Sequence, residues 1–317
     1  MDTTMKISEV CGPRKSRIVD VPRPEPGINE VQVRAKACGI CGSEYFAWDK
    51  AEGAPLYLGH EVAGEVTSVG AGVSGIAPGD AVTGLFRRGF AEFTVADAAA
   101  VMKYPASLSF EEASLGEPIS CVVSGALRTD VSLGKTIAVI GLGFMGLLAL
   151  QIMKLKGAYH LIAIDARKET EELARRFGAD EFFTPGKVPA GYLLTDSGGY
   201  GGVDIVVECT GNANALDLAV KMLKRHAILS IVGYHQGGPR CVDFQMLNWK
   251  AVDIINAHEK RVDHKMRCME IGLNLVAGGQ LLVESLMTNY YSIDGIDSAF
   301  EAFGKKPGGY IKGIVRL

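Results

Sequence analysis

The stretch Thr136-Ile137-Ala138-Val139-Ile140-Gly141-Leu142-Gly143-Phe144-Met145-Gly146 decides the fold of this chain. Its first five residues are nearly all apolar and read as a buried strand, while the run Leu147 to Leu155 after the last glycine reads as a helix. A lone G-x-G-x-x-G is weak evidence, but one set between a strand and a helix is strong. The first glycine permits a tight turn, the second lets a pyrophosphate approach the backbone, and the third lets helix and strand pack closely. Phosphate oxygens would then rest on the positive N-terminal end of the helix.

Nineteen positions beyond Gly146, at the end of the next apolar run, stands Asp165. A carboxylate there accepts hydrogen bonds from ribose hydroxyls and repels a 2'-phosphate, which selects NAD over NADP. Arg167 and Lys168 follow closely and soften that discrimination. Further on, Cys209-Thr210-Gly211 and Val232-Gly233 close two more apolar runs, at the carboxyl edge where a doubly wound sheet places its ligand. With Phe144 and Met145 of the turn, they complete the expected cofactor contacts.

The surrounding pattern agrees. Strands are expected at Ile137 to Ile140, Leu161 to Ile164, Ile205 to Val207, Ile228 to Val232 and Val252 to Ile255. Helical stretches at Leu147 to Leu155, Glu169 to Phe177 and Ala215 to Leu223 alternate with several of them, as in a parallel sheet with helices on both faces. Before residue 121 the character differs. Short alternating runs such as Val31 to Ala37, broken by Pro24 to Gly27 and Pro78-Gly79-Asp80, read as a twisted β domain. The last sixty residues hold one expected helix, His264 to Val276, and short strands ending in Tyr310 to Leu317. That piece is too small to fold alone and is expected to return to the first β domain. The division is therefore 1–121 and 261–317 for a discontinuous β-rich domain, and 122–260 for the dinucleotide domain. The glycine cluster Gly198-Gly199-Tyr200-Gly201-Gly202 reads as a surface connection.

Composition excludes several classes of function. With 317 residues, 48% of them hydrophobic, the chain can bury two cores. A formal net charge of -3 from balanced acids and bases offers no basic stripe for a phosphate backbone. The seven cysteines are odd in number and scattered, which argues against a disulfide framework and for a reducing cytoplasm. No run reaches the length of a membrane span, and the N-terminal residues lack the pattern of an export signal.

Chemistry-bearing residues gather in the β-rich region. Cys38-Gly39-Ile40-Cys41 has the spacing of a zinc knuckle, but no second C-x-x-C follows to close a four-thiolate site, so one cysteine is expected to be structural. His60 lies in Gly59-His60-Glu61, and Glu117 in Gly116-Glu117-Pro118-Ile119-Ser120-Cys121. These are the ligand types of an open catalytic zinc site, which uses three protein ligands and keeps one position for water or substrate. On residue types alone, buried structural roles compete evenly with metal binding.

In order, Cys38 to Ser43, Gly59-His60-Glu61, Gly79-Asp80-Ala81-Val82, Glu117-Pro118 and the glycine turn resemble the medium-chain zinc-dependent alcohol dehydrogenases along nearly the whole chain. The Glu-Pro pair is most similar to the polyol (sorbitol) and threonine dehydrogenase branch. The resemblance implies a Rossmann domain joined to a GroES-like catalytic domain, NAD, and one catalytic zinc per chain. It implies Cys41 and His60 as ligands with Glu117 or Glu61 completing the set, and Ser43 as the hydroxyl that relays the substrate proton. Catalytic candidates are thus Ser43 and Glu61, together with His258, which follows the last strand of the sheet and offers an acid/base group. Tyr45, Trp48, Ser120 and Tyr234 are further candidates to line the substrate pocket.

Two departures from the resemblance stand out. Thr83 to Gly89 is only a short link where relatives commonly carry four cysteines around a structural zinc, so that second zinc is not expected. Glu44 replaces the usual Asp, and Phe46 stands where many relatives carry a relay histidine, so proton exit would run through cofactor ribose and water. The expected reaction is hydride transfer between NAD and a polyol, sugar alcohol or cyclitol. The alternatives are a hydroxy amino acid of the L-threonine type and a noncatalytic NAD-binding sensor of the same fold. Subunit pairing is expected through an edge strand near Ala251 to Asn256, giving a homodimer or homotetramer.

Overall fold

A computed structural model describes residues 3–196 and 199–317. The chain divides into two compact units, Met1–Ser120 with Lys260–Leu317, and Cys121–Glu259.

In the second unit six parallel strands form one sheet. Their spatial order is Glu181–Phe183, His160–Ile164, Thr136–Ile140, Val203–Glu208, Leu223–Ile231 and Asp253–Asn256. The central strands are buried from their second residue on, or throughout, with both faces covered as in a parallel sheet, which is why they read as continuous apolar runs rather than alternating ones. The helices include Phe144–Leu155, Glu171–Arg176, Ala213–Met222 and Phe244–Lys250. The edge strand Glu181–Phe183, three residues and only half-buried, was too short to stand out in the sequence. Of the glycine cluster, Gly198 lies outside the described residues. Gly202 donates its N–H to the Gly191 carbonyl at 3.1 Å and is held against the strand end at Leu223.

The first unit is built around a seven-stranded sheet. Its path runs Met287–Ser292, Lys312–Arg316, Glu30–Gly39, Glu61–Val69, Ala81–Gly84 and Val101–Lys103, with Phe93–Asp97 also paired to Glu30–Gly39. The C-terminal strand lies antiparallel on Glu30–Gly39, with Val315 opposite Cys38. This register sets Lys312 near residues more than 250 positions away. The alternation read over Val31 to Ala37 holds only in part, because Gln32 is buried. Its amide meets the Thr67 hydroxyl and the Arg23 guanidinium, so its polar atoms are satisfied inside. The core packs Trp48, Phe86, Phe90 and Phe300 against the valines of the sheet.

Candidate active site

Cys41, His60 and Glu61 bring one ligand atom each to within 4.8 Å of one another. Local structure explains how. Glu30–Gly39 ends just before Cys41, which caps the helix Gly42–Lys50, its carbonyl accepting the N–H groups of Glu44 and Tyr45 at 3.2 Å. The neighbouring strand begins at Glu61, paired with Gly39. A side chain at Gly39 would collide with the Glu61 carboxylate, so the small residue inside Cys38-Gly39-Ile40-Cys41 makes room for the acid. Gly59 turns the chain into His60 at φ 100°, and a Cβ there would strike the backbone of Gly89 and Phe90. The short link is what buttresses this turn: Gly89 donates to the Gly59 carbonyl at 2.8 Å and Phe90 to that of Leu58 at 3.2 Å.

Partners around the cluster fix its chemistry. Glu44 is buried and takes the Nδ1 side of His60 at 2.9 Å and the Gly59 N–H at 2.6 Å, which orients the ring and leaves Nε2 for a ligand. Burial opposes the imidazolium, yet the Glu44 carboxylate and Cys41 together raise the His60 pKa well above its usual value. On the other side, Nε2 lies 3.8 Å from Glu117 Oε2. Ser43 donates its hydroxyl to Cys41 Sγ at 3.3 Å. Cys38 is fully buried, and burial pushes its thiol pKa well up, as expected of a structural cysteine.

Each candidate glutamate ligand carries its own ammonium, a feature not visible in the sequence. Lys312 Nζ lies 2.8 Å from Glu61 Oε1 and donates to the Ile40 carbonyl at 2.9 Å. Glu61 is wholly buried, and desolvation raises its pKa while Lys312 and His60 pull it back. Lys265, from the helix Val262–Ala277, lies 3.4 Å from Glu117 Oε1. The donor set of thiolate, imidazole and carboxylate fits zinc, whose structural and catalytic sites use these same groups.

Two sequence expectations about the pocket need correction. Trp48 is a core residue, stacked on Phe300 at 5.3 Å and bonded through Nε1 to Asp297 at 2.8 Å. Large apolar rings are as welcome in a core as in a pocket, and sequence does not separate the two. Ser120 is buried and returns its hydroxyl to the Glu117 carbonyl at 2.6 Å, a bond within its own helix. Tyr45 packs on Phe303 and Trp48 at the edge of the same core. His258 and Tyr234 belong to the second unit, where they are exposed and their rings stack at 6.1 Å. Phe46 is 44% exposed.

The glycine turn in the second unit is shaped for close approach. Gly141 has φ 91°, and a Cβ on Gly146 would fall on the Gly141 carbonyl oxygen, which locks helix to strand. Gly143 has open space where a Cβ would stand, and no side chain caps the helix Phe144–Leu155 that starts there. Phe144 is buried and Met145 partly so. Asp165 accepts the Leu142 N–H at 2.5 Å and the Arg167 N–H at 2.7 Å, so it braces the turn itself. The Arg167 guanidinium reaches the Leu142 carbonyl at 3.2 Å. Cys209 donates its N–H to the Ile140 carbonyl at 2.9 Å, while Thr210 packs its methyl over Gly141. Val232 and Gly233 both donate to the Glu208 carbonyl at 2.8 Å, and Gly211 adopts φ 69° under Tyr234.

Residues 27–106 match the alcohol dehydrogenase GroES-like domain and residues 145–270 the zinc-binding dehydrogenase family. L-threonine 3-dehydrogenase of Pyrococcus horikoshii is 30% identical, with 90% of this chain and 89% of that protein covered. Sorbitol dehydrogenase of Gallus gallus is 29% identical over the same shares. A zinc-binding dehydrogenase of Sinorhizobium meliloti solved with NADP superposes with a TM-score of 0.86 at 24% identity, covering both chains completely. The chain belongs to the zinc-dependent medium-chain dehydrogenases, with an α/β dinucleotide-type sheet and a GroES-like β-rich domain. Among the described residues no helix is long and apolar enough to cross a membrane.

Proposed function

We propose that this chain exchanges a hydride between a secondary alcohol and NAD, with one zinc ion held by Cys41, His60 and a glutamate. The observation that carries the reading is the convergence of thiol, imidazole and carboxylate ligand atoms within 4.8 Å, beside the Ser43 hydroxyl. When bound, zinc supplies Lewis acidity toward an alcohol or carbonyl oxygen, and the nicotinamide takes or returns the hydride. The protein's own groups do the rest. Glu44 holds the His60 ring in place. Ser43 Oγ would accept the substrate hydroxyl proton while its own O–H, turned from Cys41 Sγ, passes to water, since the phenyl ring of Phe46 cannot carry a proton further. Lys312 compensates the buried Glu61 charge and Lys265 stands beside Glu117, so each of the two carboxylates comes to the site with an ammonium at its back.

The second unit supplies the cofactor groups: open backbone at Gly143, the uncapped helix that begins with Phe144, and the Asp165 carboxylate. NAD is preferred because an adenosine 2'-phosphate would face Asp165, although Arg167 stands beside it. For substrate, polyols, sugar alcohols and cyclitols come first. A hydroxyl on the carbon next to the reacting one would find an acceptor in Glu117 and a donor in Lys265. The same pair also supports the second reading, L-threonine, whose ammonium and carboxylate match Glu117 and Lys265. The relatives named L-threonine 3-dehydrogenase favour it too.

The test is metal analysis together with NADH absorbance over xylitol, sorbitol, myo-inositol, butane-2,3-diol and L-threonine. Zinc near one per chain with polyol turnover is the expected result. Turnover of L-threonine alone selects the second reading, and zinc-loaded protein that binds NADH but turns over nothing overturns both. The strand Asp253–Asn256 forms an edge of the six-stranded sheet with Ile254 41% exposed, and we propose that it pairs two subunits. Light scattering at twice the chain mass or more is expected, and a monomer would rule it out.

A further inference from the structure

We infer that Glu208 and His235 form a positioning pair that shapes the nicotinamide end of the cofactor site. The inference rests on the NAD reading above but concerns residues that reading does not use. Glu208 ends the strand Val203–Glu208 and is completely buried. Its carboxylate is surrounded by donors from two strand ends. Oε1 accepts the Thr210 N–H at 2.6 Å, the Gly211 N–H at 3.1 Å and the Thr210 hydroxyl. Oε2 meets His235 Nε2 at 2.9 Å. Its backbone carbonyl accepts the N–H groups of Val232 and Gly233 at 2.8 Å.

A buried carboxylate is costly unless donors surround it, and one that has four side-chain-directed donors fixes all of them in turn. The carboxylate fixes Thr210, Gly211 and His235, and the backbone carbonyl fixes Val232 and Gly233; their two strands lie on the side of Thr136–Ile140 opposite the strand that leads to Asp165, so with the adenosine ribose at Asp165 they stand at the nicotinamide end. Gly233 is small for the same reason. A Cβ there would stand 2.6 Å from Glu208 Oε2, so the glycine makes room for the acid as well as for a ligand. His235 completes the knot from the far side, and its Nδ1 is buried with no hydrogen-bond partner among the described residues. Among the described residues the His235 ring makes its one hydrogen bond to Glu208. The His235 bond is made away from the glycine turn at Gly141 to Gly146, where pyrophosphate would bind, while on the Oε1 side the Thr210 methyl lies over Gly141 of that turn.

Two ligands separate this role from plain stability. NADH uses the whole site, whereas ADP-ribose lacks the nicotinamide and reads only the other end. Calorimetric titration of the full-length protein with each ligand is the test. Glu208→Gln puts an amide among donors and should weaken NADH about tenfold while changing ADP-ribose less than about twofold. His235→Phe keeps a ring but removes the Nε2 bond, and should weaken NADH about threefold with the same selectivity. It carries the test alone where Glu208→Gln does not fold. Equal loss for the two ligands, or NADH affinity unchanged in both variants, overturns the positioning role and leaves the NAD reading intact. Wild-type protein that binds neither ligand overturns both.

Discussion

The glycine turn and the candidate metal-ligand cluster are built by opposite means. The turn and its brace take Gly141 to Gly146 and Asp165 from one strand-helix-strand passage, held by backbone N–H bonds to the Asp165 carboxylate, with Leu142 and Asp165 only 23 positions apart. The cluster draws Cys41, His60 and Glu61 from the adjoining ends of two paired strands, Glu117 from a helix and Lys312 from the last strand, 251 positions from Glu61. A local site is specified by spacing. An assembled site depends on register, and its buried charges must find partners that arrive only when the sheet is complete.

Substitutions should expose this contrast. The largest effect is expected of Cys41→Ser, which removes the thiolate ligand. Zinc measured by mass spectrometry should fall far below one per chain and turnover by roughly 1000-fold, with NADH affinity little changed. A metal-loaded, active Cys41→Ser protein would break the ligand assignment.

Next comes Lys312→Met, which strands Glu61 as an unpaired buried acid. Urea unfolding should show a loss of about 3 kcal/mol, and zinc retention should weaken as well. Loss of stability without loss of zinc would show that Lys312 serves the sheet alone.

The second unit has its own buried lysine with a different environment. Lys250 donates to the Val220 carbonyl at 2.6 Å at a helix end, and burial lowers its pKa to about 8. Between about pH 8 and its ordinary value of 10.5 the unfolded chain holds a proton that the folded one does not. Stability should therefore rise with pH across that window, by at most about 3 kcal/mol. Lys250→Met should flatten the rise in pH-dependent denaturation, and an unchanged slope would show that another group titrates there.

The smallest effect is at the ribose end. Asp165→Ser should shift the ratio of kcat/KM for NAD over NADP toward NADP by about tenfold, while NADH still binds. A preference for NADP in the wild-type protein would reverse the assignment and give Arg167 the leading role.

Much of the second unit was legible because its strands and helices repeat a pattern that each segment carries in itself. Ends moved by a few residues: the helix read as Ala215 to Leu223 spans Ala213–Met222, where Asn212 caps its start through the Asn214 N–H. The strand Glu181–Phe183 and the acid Glu208 escaped notice. Three half-buried residues leave no periodicity, and a glutamate closing an apolar run reads as an ordinary strand end until its donors are seen. In the first unit the ligand types were visible by resemblance, but Trp48 and Ser120 were misplaced because burial in a core and exposure to a pocket demand similar residues. Glu44 stood out only as a departure. The structure gives it the Nδ1 side of His60, at 2.9 Å.

By itself, then, the sequence determined the dinucleotide-type turn, the sheet that carries it, and the ligand types of a zinc site, since spacing and side-chain chemistry are properties of short segments. The tertiary structure decided what stands behind those groups. Lys312 for Glu61, Lys265 for Glu117, Glu44 for His60 and His235 for Glu208 are pairings across strands and helices. A buried charge selects its partner by distance in space, which the order of residues does not record.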